Sequence, residues 1–339
     1  MTDQPPADRP ATSTDVARLA GVSQATVSYV LNDAPGVKIS EETRARVRRA
    51  AEQLGYTPHA SARTLRRGRS DVVLFPLPDI PAGHLAARFF GELGHRLRDH
   101  GHTLVLHGDT RGRGVAAARE WAQWRPAAVV VFADRLTRAA VRQLHSAGVA
   151  TVVALGTEPS PLAPTMVFDD YAIGECAVGH LVERGRRRLA AVVPAEPELA
   201  RFAVPRLEGA VRAAAAHGLA VERVDLPFDE AGAAGIVAGW DAGERPDGIF
   251  AYNDDYAMLL MRVLQDAGLE VPGDVAVVGA DDLPLGRLLR PRLTSVRVIG
   301  DRSAARVAAR LHELIVRRER DPAVTLLNST AEIVHRESS

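Results

Sequence analysis

Cysteine is nearly missing from this sequence, with Cys176 the only one in 339 residues. That excludes an intramolecular disulfide and a thiolate metal cluster, and it agrees with a reducing compartment. Long apolar runs are missing too. Nothing approaches the roughly 18 to 20 consecutive apolar residues that span a bilayer. The opening stretch, Met1 to Pro10, is rich in proline and acid and has no apolar signal core. A membrane span and an export signal are therefore not expected, and the expected location is the cytoplasm. Low-complexity sequence is confined to that leader, and no short-period internal repeat stands out. Net charge is the third absence, with 42 Lys and Arg against 42 Asp and Glu.

That balance hides an asymmetry. Between Thr12 and Arg69 the cations are Arg18, Lys38, Arg44, Arg46, Arg48, Arg49, Arg63, Arg66, Arg67 and Arg69, while the acids are only Asp15, Asp33, Glu41, Glu42 and Glu52. The first seventy residues are basic and the remainder mildly acidic, as expected if one end alone meets phosphate. What is plentiful is ordinary globular material, 46% hydrophobic and 25% charged, in a chain long enough for more than one domain.

Thr12-Ser13-Thr14-Asp15 has the pattern of a capping box, so a helix starts there, with Val16, Leu19 and Ala20 on its apolar face and Gly21 suited to end it. Ser23 then caps a second helix through Leu31, buried along Val27, Val30 and Leu31. Two short helices separated by Gly21-Val22-Ser23 form a helix-turn-helix signature. A third helix, Glu41 to Leu54, supplies Val47, Ala50, Ala51 and Leu54 and can close a small core.

From Val72 the rhythm becomes one of short apolar strands alternating with longer helices. Strands are expected at Val72–Leu77, Thr103–Leu106, Ala128–Phe132, Ala150–Leu155, Leu189–Val193, Gly248–Ala251 and Val275–Val278. Helices are expected at Ala82–Asp99, Leu136–Ala147, Ile173–Glu183, Pro205–His217 and Asp254–Ala267. Continuous apolar strands alternating with helices predict α/β architecture, with parallel sheets covered on both faces. The units are too many for one sheet. Two lobes follow, with a ligand crevice at the carboxyl ends of their strands.

Asp15-Val16-Ala17, Ala20-Gly21-Val22-Ser23, Thr26-Val27-Ser28, Leu31-Asn32, Leu54-Gly55-Tyr56-Thr57-Pro58 and Ala62-Arg63-Thr64-Leu65 together resemble the headpiece and hinge helix of LacI/GalR transcriptional regulators. Arg206-Leu207-Glu208-Gly209, Asn253-Asp254, Val271-Pro272-Gly273-Asp274-Val275, Asp281-Asp282 and Arg290-Pro291-Arg292-Leu293-Thr294 resemble landmarks of the same family's core. The resemblance implies a leader at 1–11, a helix-turn-helix domain at 12–58, a hinge helix and linker at 59–70, and a two-lobed periplasmic-binding-protein-like core at 71–339. The first lobe is expected at about 71–168 with 297–327, and the second at about 169–296 with 328–336.

It also implies that the second helix enters the major groove of double-stranded DNA. Residue chemistry supports this independently, since helical spacing turns Gln24, Ala25, Ser28, Tyr29 and Asn32 away from the apolar face. Gln24 can pair bidentately with adenine and Ala25 can meet a thymine methyl. Thr12, Ser23, Thr26, Ser28 and Asn32 are short polar groups suited to phosphate. Tyr29 stands where many relatives carry Arg, which removes the commonest guanine reader. By resemblance, Leu65 is a wedge for the central minor-groove step, and Ala62 permits close approach. Arg44, Arg46, Arg48 and Arg49 are either a phosphate-contacting face or a solvated helix surface.

In the crevice the resemblance assigns effector contacts to Arg206, Asn253 and Asp281. A guanidinium, an amide and a carboxylate together suit the hydroxyls of a sugar. Phe168 and Tyr252 are candidate aromatic walls, and Asp79, just after the first expected strand, is a further candidate contact. Structural roles compete: an Asn-Asp pair after a strand can cap the next helix, and Arg206 can pair with Glu208 or another acid. This chain also has Gly156 where relatives often carry Asp, Ala280 where many carry an aromatic, and Asp170 for a frequent Asn.

Other classes fit poorly. Gly108, Gly112 and Gly114 lack phosphate-loop spacing, and His95, His100, His102 and His107 lack the spacing of a zinc site. Asp281 and Asp282, adjacent on one strand end, would point apart rather than flank a bond. No enzyme activity, cofactor or metal is expected. A periplasmic sugar receptor should carry an export signal and no helix-turn-helix. The expected protein is a cytoplasmic homodimer on a pseudo-palindromic operator, most simply a repressor, whose DNA affinity is modulated by a small effector between the lobes.

Overall fold

In the computed structural model of the chain, residues 11–31, 38–57, 70–79, 84–108, 111–241, 243–300, 304–326 and 329–339 are described. The chain divides into two units, Met1–Ser70 and Asp71–Ser339.

The first unit contains helices α1 (Ser13–Ala20), α2 (Gln24–Leu31) and α3 (Glu41–Gln53). Each begins where a short oxygen-bearing side chain meets free amides. Thr12 and Asp15 form a reciprocal capping box on α1, Ser23 Oγ accepts from the Thr26 amide at 3.1 Å, and Ser40 Oγ accepts from the Thr43 amide at 3.3 Å. Gly21 ends α1 in the left-handed conformation at φ 65°, which costs a residue without Cβ nothing. Val16, Val27, Val30 and Val47 meet in the core, closed by Ala17, Ala20, Ala50 and Ala51. Leu19, expected on that face, is instead 48% exposed. With only eight residues in α1, the face built on Val16 and Ala20 leaves position 19 a quarter-turn outside it.

The second unit holds two six-stranded sheets. The first contains β1 (Val72–Pro76), β2 (Thr103–His107), β3 (Ala128–Phe132), β4 (Thr151–Gly156), β5 (Thr165–Val167) and β11 (Thr325–Leu326), in the order β11-β5-β4-β3-β1-β2. All of its ladders are parallel. Helices α4 (His84–Asp99) and α11 (Ala304–Arg317) cover one face, and α5 (Gly114–Gln123) and α6 (Arg138–Ser146) cover the other. The second sheet contains β6 (Leu189–Pro194), β7 (Val221–Leu226), β8 (Gly248–Phe250), β9 (Ala276–Ala280), β10 (Thr294–Gly300) and β12 (Ser329–Val334), in the order β12-β10-β9-β8-β6-β7. Its ladders are parallel except the edge strand β12, which runs antiparallel to β10. Here α7 (Asp170–Glu183) and the end of α8 (Ala200–Ala215) lie on one face, with α9 (Glu230–Ala238) and α10 (Asp254–Asp266) on the other. Central strands buried on both faces read as unbroken apolar runs, which is why they are conspicuous in the sequence.

Three departures from the sequence reading bear on the site. The β10–β12 ladder continues to Gly300↔Ser329, so residues 297–300, expected in the first lobe, belong to the second sheet. Helix α7 begins at Asp170 rather than Ile173, because Asp169 caps it by accepting from the Ala172 amide at 3.0 Å. Helix α8 begins at Ala200 rather than Pro205 and carries that proline inside. Proline favours a first helical turn, so the sequence places the start there, whereas packing extends the helix backward over Arg201 and Phe202.

Candidate functional site

In the headpiece, α2 buries Val27 and Val30 and turns Gln24, Ala25 and Tyr29 outward, with Thr26 and Ser28 half-buried between. Tyr29 is 42% exposed although large and aromatic. The pairs Gln24/Ser28 and Ala25/Tyr29, each four residues apart, make one continuous strip on the helix surface. Gln24 Nε2 donates to Ser13 Oγ at 2.7 Å, which ties the start of α2 to α1. Thr12 and Ser23 cap helices, and Ser23 Oγ also lies 2.9 Å from Thr26 Oγ1. Arg46, Arg48 and Arg49 are exposed on α3, whereas Arg44 is half-buried and lies 3.6 Å from Glu41. Asn32, Ala62 and Leu65 lie outside the described residues.

The second unit gathers a different set of groups at the carboxyl ends of its strands, where α/β sheets bind ligands. Arg206, on α8, is 8% exposed. Its Nε donates to Asp170 Oδ1 at 3.0 Å, and its Nη1 donates to the Tyr252 carbonyl at 2.8 Å. Asp281 Oδ1 stands 4.0 Å from Nη2, and the guanidinium carbon lies 4.8 Å from the centre of the Tyr252 ring. Burial alone would lower the Arg206 pKa, but Asp170 and then Asp281 hold it above the ordinary arginine value. Burial also pushes the Tyr252 phenol up to about 12; Arg206 opposes this, while Asp281 and Asp170 add to it. The arginine is thus a permanent cation clamped from two sides. Removing one member of such a buried pair costs about 3 to 5 kcal/mol, because the other is left uncompensated.

Backbone strain collects at the same place. Tyr252, Asp281 and Asp282 adopt φ values of 54°, 97° and 47°, a region that residues with a Cβ rarely occupy. Asn253 fulfils its capping role, since its Oδ1 accepts from the Tyr256 amide at 3.0 Å. Asp282 turns away from its neighbour Asp281. Its carboxylate takes Arg297 Nη2 at 2.6 Å, and Arg336 closes on the other oxygen. Burial would raise the Asp282 pKa, but the Arg336 and Arg297 bonds bring it below the usual carboxylate value.

Arg206, Tyr252, Asn253 and Asp281 are therefore brought together as the sequence proposes, and Arg206 takes an acid partner as well. Asp79 and Phe168 are placed with the first sheet. Asp79 pairs with Arg111 at 3.0 Å, and Phe168 packs on the core around β4 and β5. The sequence reading missed Phe202, one turn before Arg206 on the same face of α8. Its ring meets Phe132 at the end of β3, edge to face at 5.9 Å, while Arg201 caps the Phe132 ring at 4.8 Å and bonds Asp134 Oδ1 at 3.3 Å. These contacts join the two sheets across the crevice. Their signal was the spacing of four between Phe202 and Arg206, hidden once the helix was started at Pro205. Near them, the Tyr256 hydroxyl donates to Glu196 Oε2 at 2.5 Å, beside the exposed ring of Phe228. Among the described residues, no group of three or more His, Cys, Asp or Glu is arranged to hold a metal ion.

Residues 12–59 match the model for bacterial regulatory proteins of the lacI family, and residues 178–339 match a periplasmic binding protein-like domain. The HTH-type transcriptional regulator GalR of Escherichia coli (strain K12) is 31% identical over 299 residues, covering 85% of this chain and 84% of GalR. The chain belongs to the lacI family. This lacI-family regulator is a DNA-binding transcription factor built from a helix-turn-helix and a periplasmic-binding-protein-like core. It is also 31% identical to the HTH-type transcriptional regulator CelR of Thermobifida fusca over 83% of this chain and 85% of CelR. Among solved structures, the CelR–cellobiose complex has a TM-score of 0.65 at 28% identity, covering 97% of this chain and 100% of the solved one. The lac repressor dimer bound to operator and the anti-inducer ONPF has a TM-score of 0.78 at 24% identity, covering 97% of this chain and 99% of that one, a likeness of fold. Among the described residues, no helix of the lacI-family chain is long and apolar enough to cross a membrane.

Proposed function

We propose that this lacI-family regulator is a cytoplasmic, non-catalytic repressor. It binds a pseudo-palindromic operator as a homodimer and changes its affinity for that operator when a sugar-like effector enters the crevice. One headpiece presents a strip of α2 short enough to read a half-site, so a two-fold protein matches a two-fold site. Gln24, Ala25 and Tyr29 meet base edges, with Ser23, Thr26 and Ser28 near the phosphates. Thr12, Asn32, Ala62 and Leu65 complete the proposed DNA contacts.

The observation that carries the effector half is the buried Arg206, held between Asp170 and Asp281 over the Tyr252 ring. It combines fixed donors, acceptors and an aromatic surface in a crevice that α8 bridges. The likeness to the solved CelR–cellobiose complex supports a carbohydrate. Asn253, Asp79 and Phe168 are proposed to join in as the lobes adjust. An effector alters DNA affinity only by favouring one lobe arrangement, and Phe202 against Phe132 is the contact such a change would remake.

Selection of bound duplexes from a random pool at near-physiological salt, followed by sequencing, tests the DNA half. An enriched pseudo-palindrome is the expected result. Enrichment of single half-sites would refute the dimeric reading, and no enrichment with or without sugars would refute operator recognition. Repeating the selected duplex titration with a panel of sugars tests the effector half, which fails if no sugar moves the affinity.

A further inference from the structure

The strained turn that carries Asp281 is held from beneath. Asp281 and Asp282 keep positive φ in succession, a conformation that persists only where the surroundings impose it. Each amide of the turn ends on a fixed acceptor. That of Asp281 donates to the Val296 carbonyl at 2.9 Å, that of Asp282 to Ser295 Oγ at 3.0 Å, and that of Leu283 to Asp254 Oδ2 at 2.6 Å. The two side-chain acceptors are themselves joined, because Ser295 Oγ donates to Asp254 Oδ1 at 2.6 Å. Both residues are fully buried, so neither touches an effector directly. Their backing is tight as well, since a Cβ on Gly279 of β9 would run into the Asp254 carboxylate. Asp254 opens α10 directly after Asn253, so one carboxylate ties the loop that follows β8 to the loop that follows β9. Those loops carry Tyr252, Asn253 and Asp281, three of the proposed effector contacts.

We infer that Asp254 and Ser295 are positioning residues for the effector: the pair fixes the turn that sets Asp281 against Arg206, and it makes effector affinity depend on the ionisation of Asp254. This rests on the proposed effector site between the lobes. The ionised carboxylate takes the Ser295 hydroxyl and the Leu283 amide on separate oxygens, whereas a proton on Oδ1 displaces the hydroxyl bond and leaves Oδ2 an uncharged, weaker acceptor. The turn is therefore tightest when Asp254 is charged. Burial raises the Asp254 pKa to about 7 against those two bonds, and Asp281 and Asp282 of the turn add to the rise. The other charged or titratable groups around it are Arg206 of α8, Tyr252 after β8, Arg297 of β10, and Arg336 after β12. Arg206 stays above the ordinary arginine value despite its burial, and burial pushes Tyr252 up to about 12. Asp282 is also buried, but the Arg336 and Arg297 bonds hold it below the usual carboxylate value. A neutral sugar does not titrate near pH 7, so its affinity should rise as Asp254 ionises.

The test has two arms, both on the full chain. Amide hydrogen exchange without ligand, resolved to single residues, reads the support beneath the turn. Ser295→Ala should speed exchange at the Asp282 amide by about tenfold, the loss of one buried hydrogen bond, while the amides of β3 keep their protection and report an intact fold. Unchanged exchange at Asp282 would overturn the inference whether or not a sugar binds. Calorimetric titration with glucose, galactose and cellobiose reads the positioning. The tightest of these should bind the wild type about threefold more strongly at pH 8 than at pH 6. Asp254→Asn, which keeps an acceptor for the Leu283 amide, should show the weaker pH 6 affinity at both, and Ser295→Ala should bind about tenfold more weakly than the wild type at pH 8. A wild-type affinity that ignores pH, a pH dependence that survives Asp254→Asn, or wild-type affinity in Ser295→Ala would overturn the inference and leave the sugar-effector reading standing. If none of the sugars binds, that reading falls and the positioning role falls with it.

Discussion

Helices α7 and α8 approach each other through glycine, and a single methyl group tests whether that approach builds the crevice. A Cβ on Gly174 would run into the Arg206 carbonyl oxygen of α8 and lie 2.8 Å from the Ala210 amide nitrogen. From the other side, a Cβ on Gly209 would run into the Tyr171 carbonyl oxygen. The obstacles are main-chain atoms, which cannot swing aside as a side chain can, so relief requires the helices to part by on the order of 1 Å in a close-packed interior. Overpacking of this kind costs typically 1 to 3 kcal/mol, and Gly174→Ala belongs at the upper end, about 3 kcal/mol. For a unit of this size that corresponds to a fall in Tm of roughly 6 to 12 °C. Gly179 provides the control, because it lies on the same helix and an added Cβ there meets nothing within 4 Å. Gly179→Ala should raise stability by about 0.5 to 1 kcal/mol, since alanine is the better helix former. All three tryptophans, Trp121, Trp124 and Trp240, lie in the second unit, so intrinsic fluorescence during thermal unfolding follows that unit alone. The parting helices carry Asp170 and Arg206, so Gly174→Ala should also weaken effector binding. Equal Tm values for Gly174→Ala and Gly179→Ala would refute the reasoning.

Two further outcomes follow from the same structure. Asp254 is fully buried, and desolvation lifts its pKa to about 7 against the bonds from Ser295 Oγ and the Leu283 amide, with Asp281 and Asp282 adding to the rise. A carboxyl whose pKa is raised on folding contributes stability that is complete below about pH 4 and lost as pH climbs through 7, with a slope of at most about 1.4 kcal/mol per pH unit. Asp254→Asn cannot ionise, so calorimetric scans of it from pH 5 to 8 should show a flatter decline than the wild type, and equal slopes would sink the assignment. In the headpiece, Arg46→Ala should weaken specific and random duplexes by the same factor and lower the salt dependence by about one unit of slope, as the loss of one phosphate contact does. Gln24→Ala should instead weaken only the selected duplex; a change in slope without loss of specificity would reverse the two roles.

Much of this molecule was legible in one dimension because its local signals agree with its packing. The capping box at Thr12 and Asp15, Gly21 at the end of α1, and the Val27 and Val30 stripe are set by neighbours within a turn or two, and they define the helix-turn-helix unaided. Strands buried on both faces announced themselves as apolar runs such as Ala128–Phe132, and the alternation with helices gave the fold class. The half-exposed β7 did not. β7 reads Val-Glu-Arg-Val-Asp-Leu and passes for a surface segment until it pairs with β6.

The site was divided between the two levels. Sequence named Arg206, Asn253 and Asp281 through their resemblance to landmarks of the lacI family, and Tyr252 as an aromatic wall beside them. It noted Asp170 only as a departure from a frequent Asn and did not place Phe202 at all, because both lie in the first turn of a helix whose start the sequence set several residues too late. Boundaries of that kind depend on tertiary packing more than on propensity. Composition and local pattern thus determined what kind of protein this is and which segment faces DNA. Only the folding of α7, α8 and two strand ends onto one another decided that a single arginine is shared by two carboxylates, since that depends on contacts 36 and 75 residues apart in the chain, separations that no local rule spans.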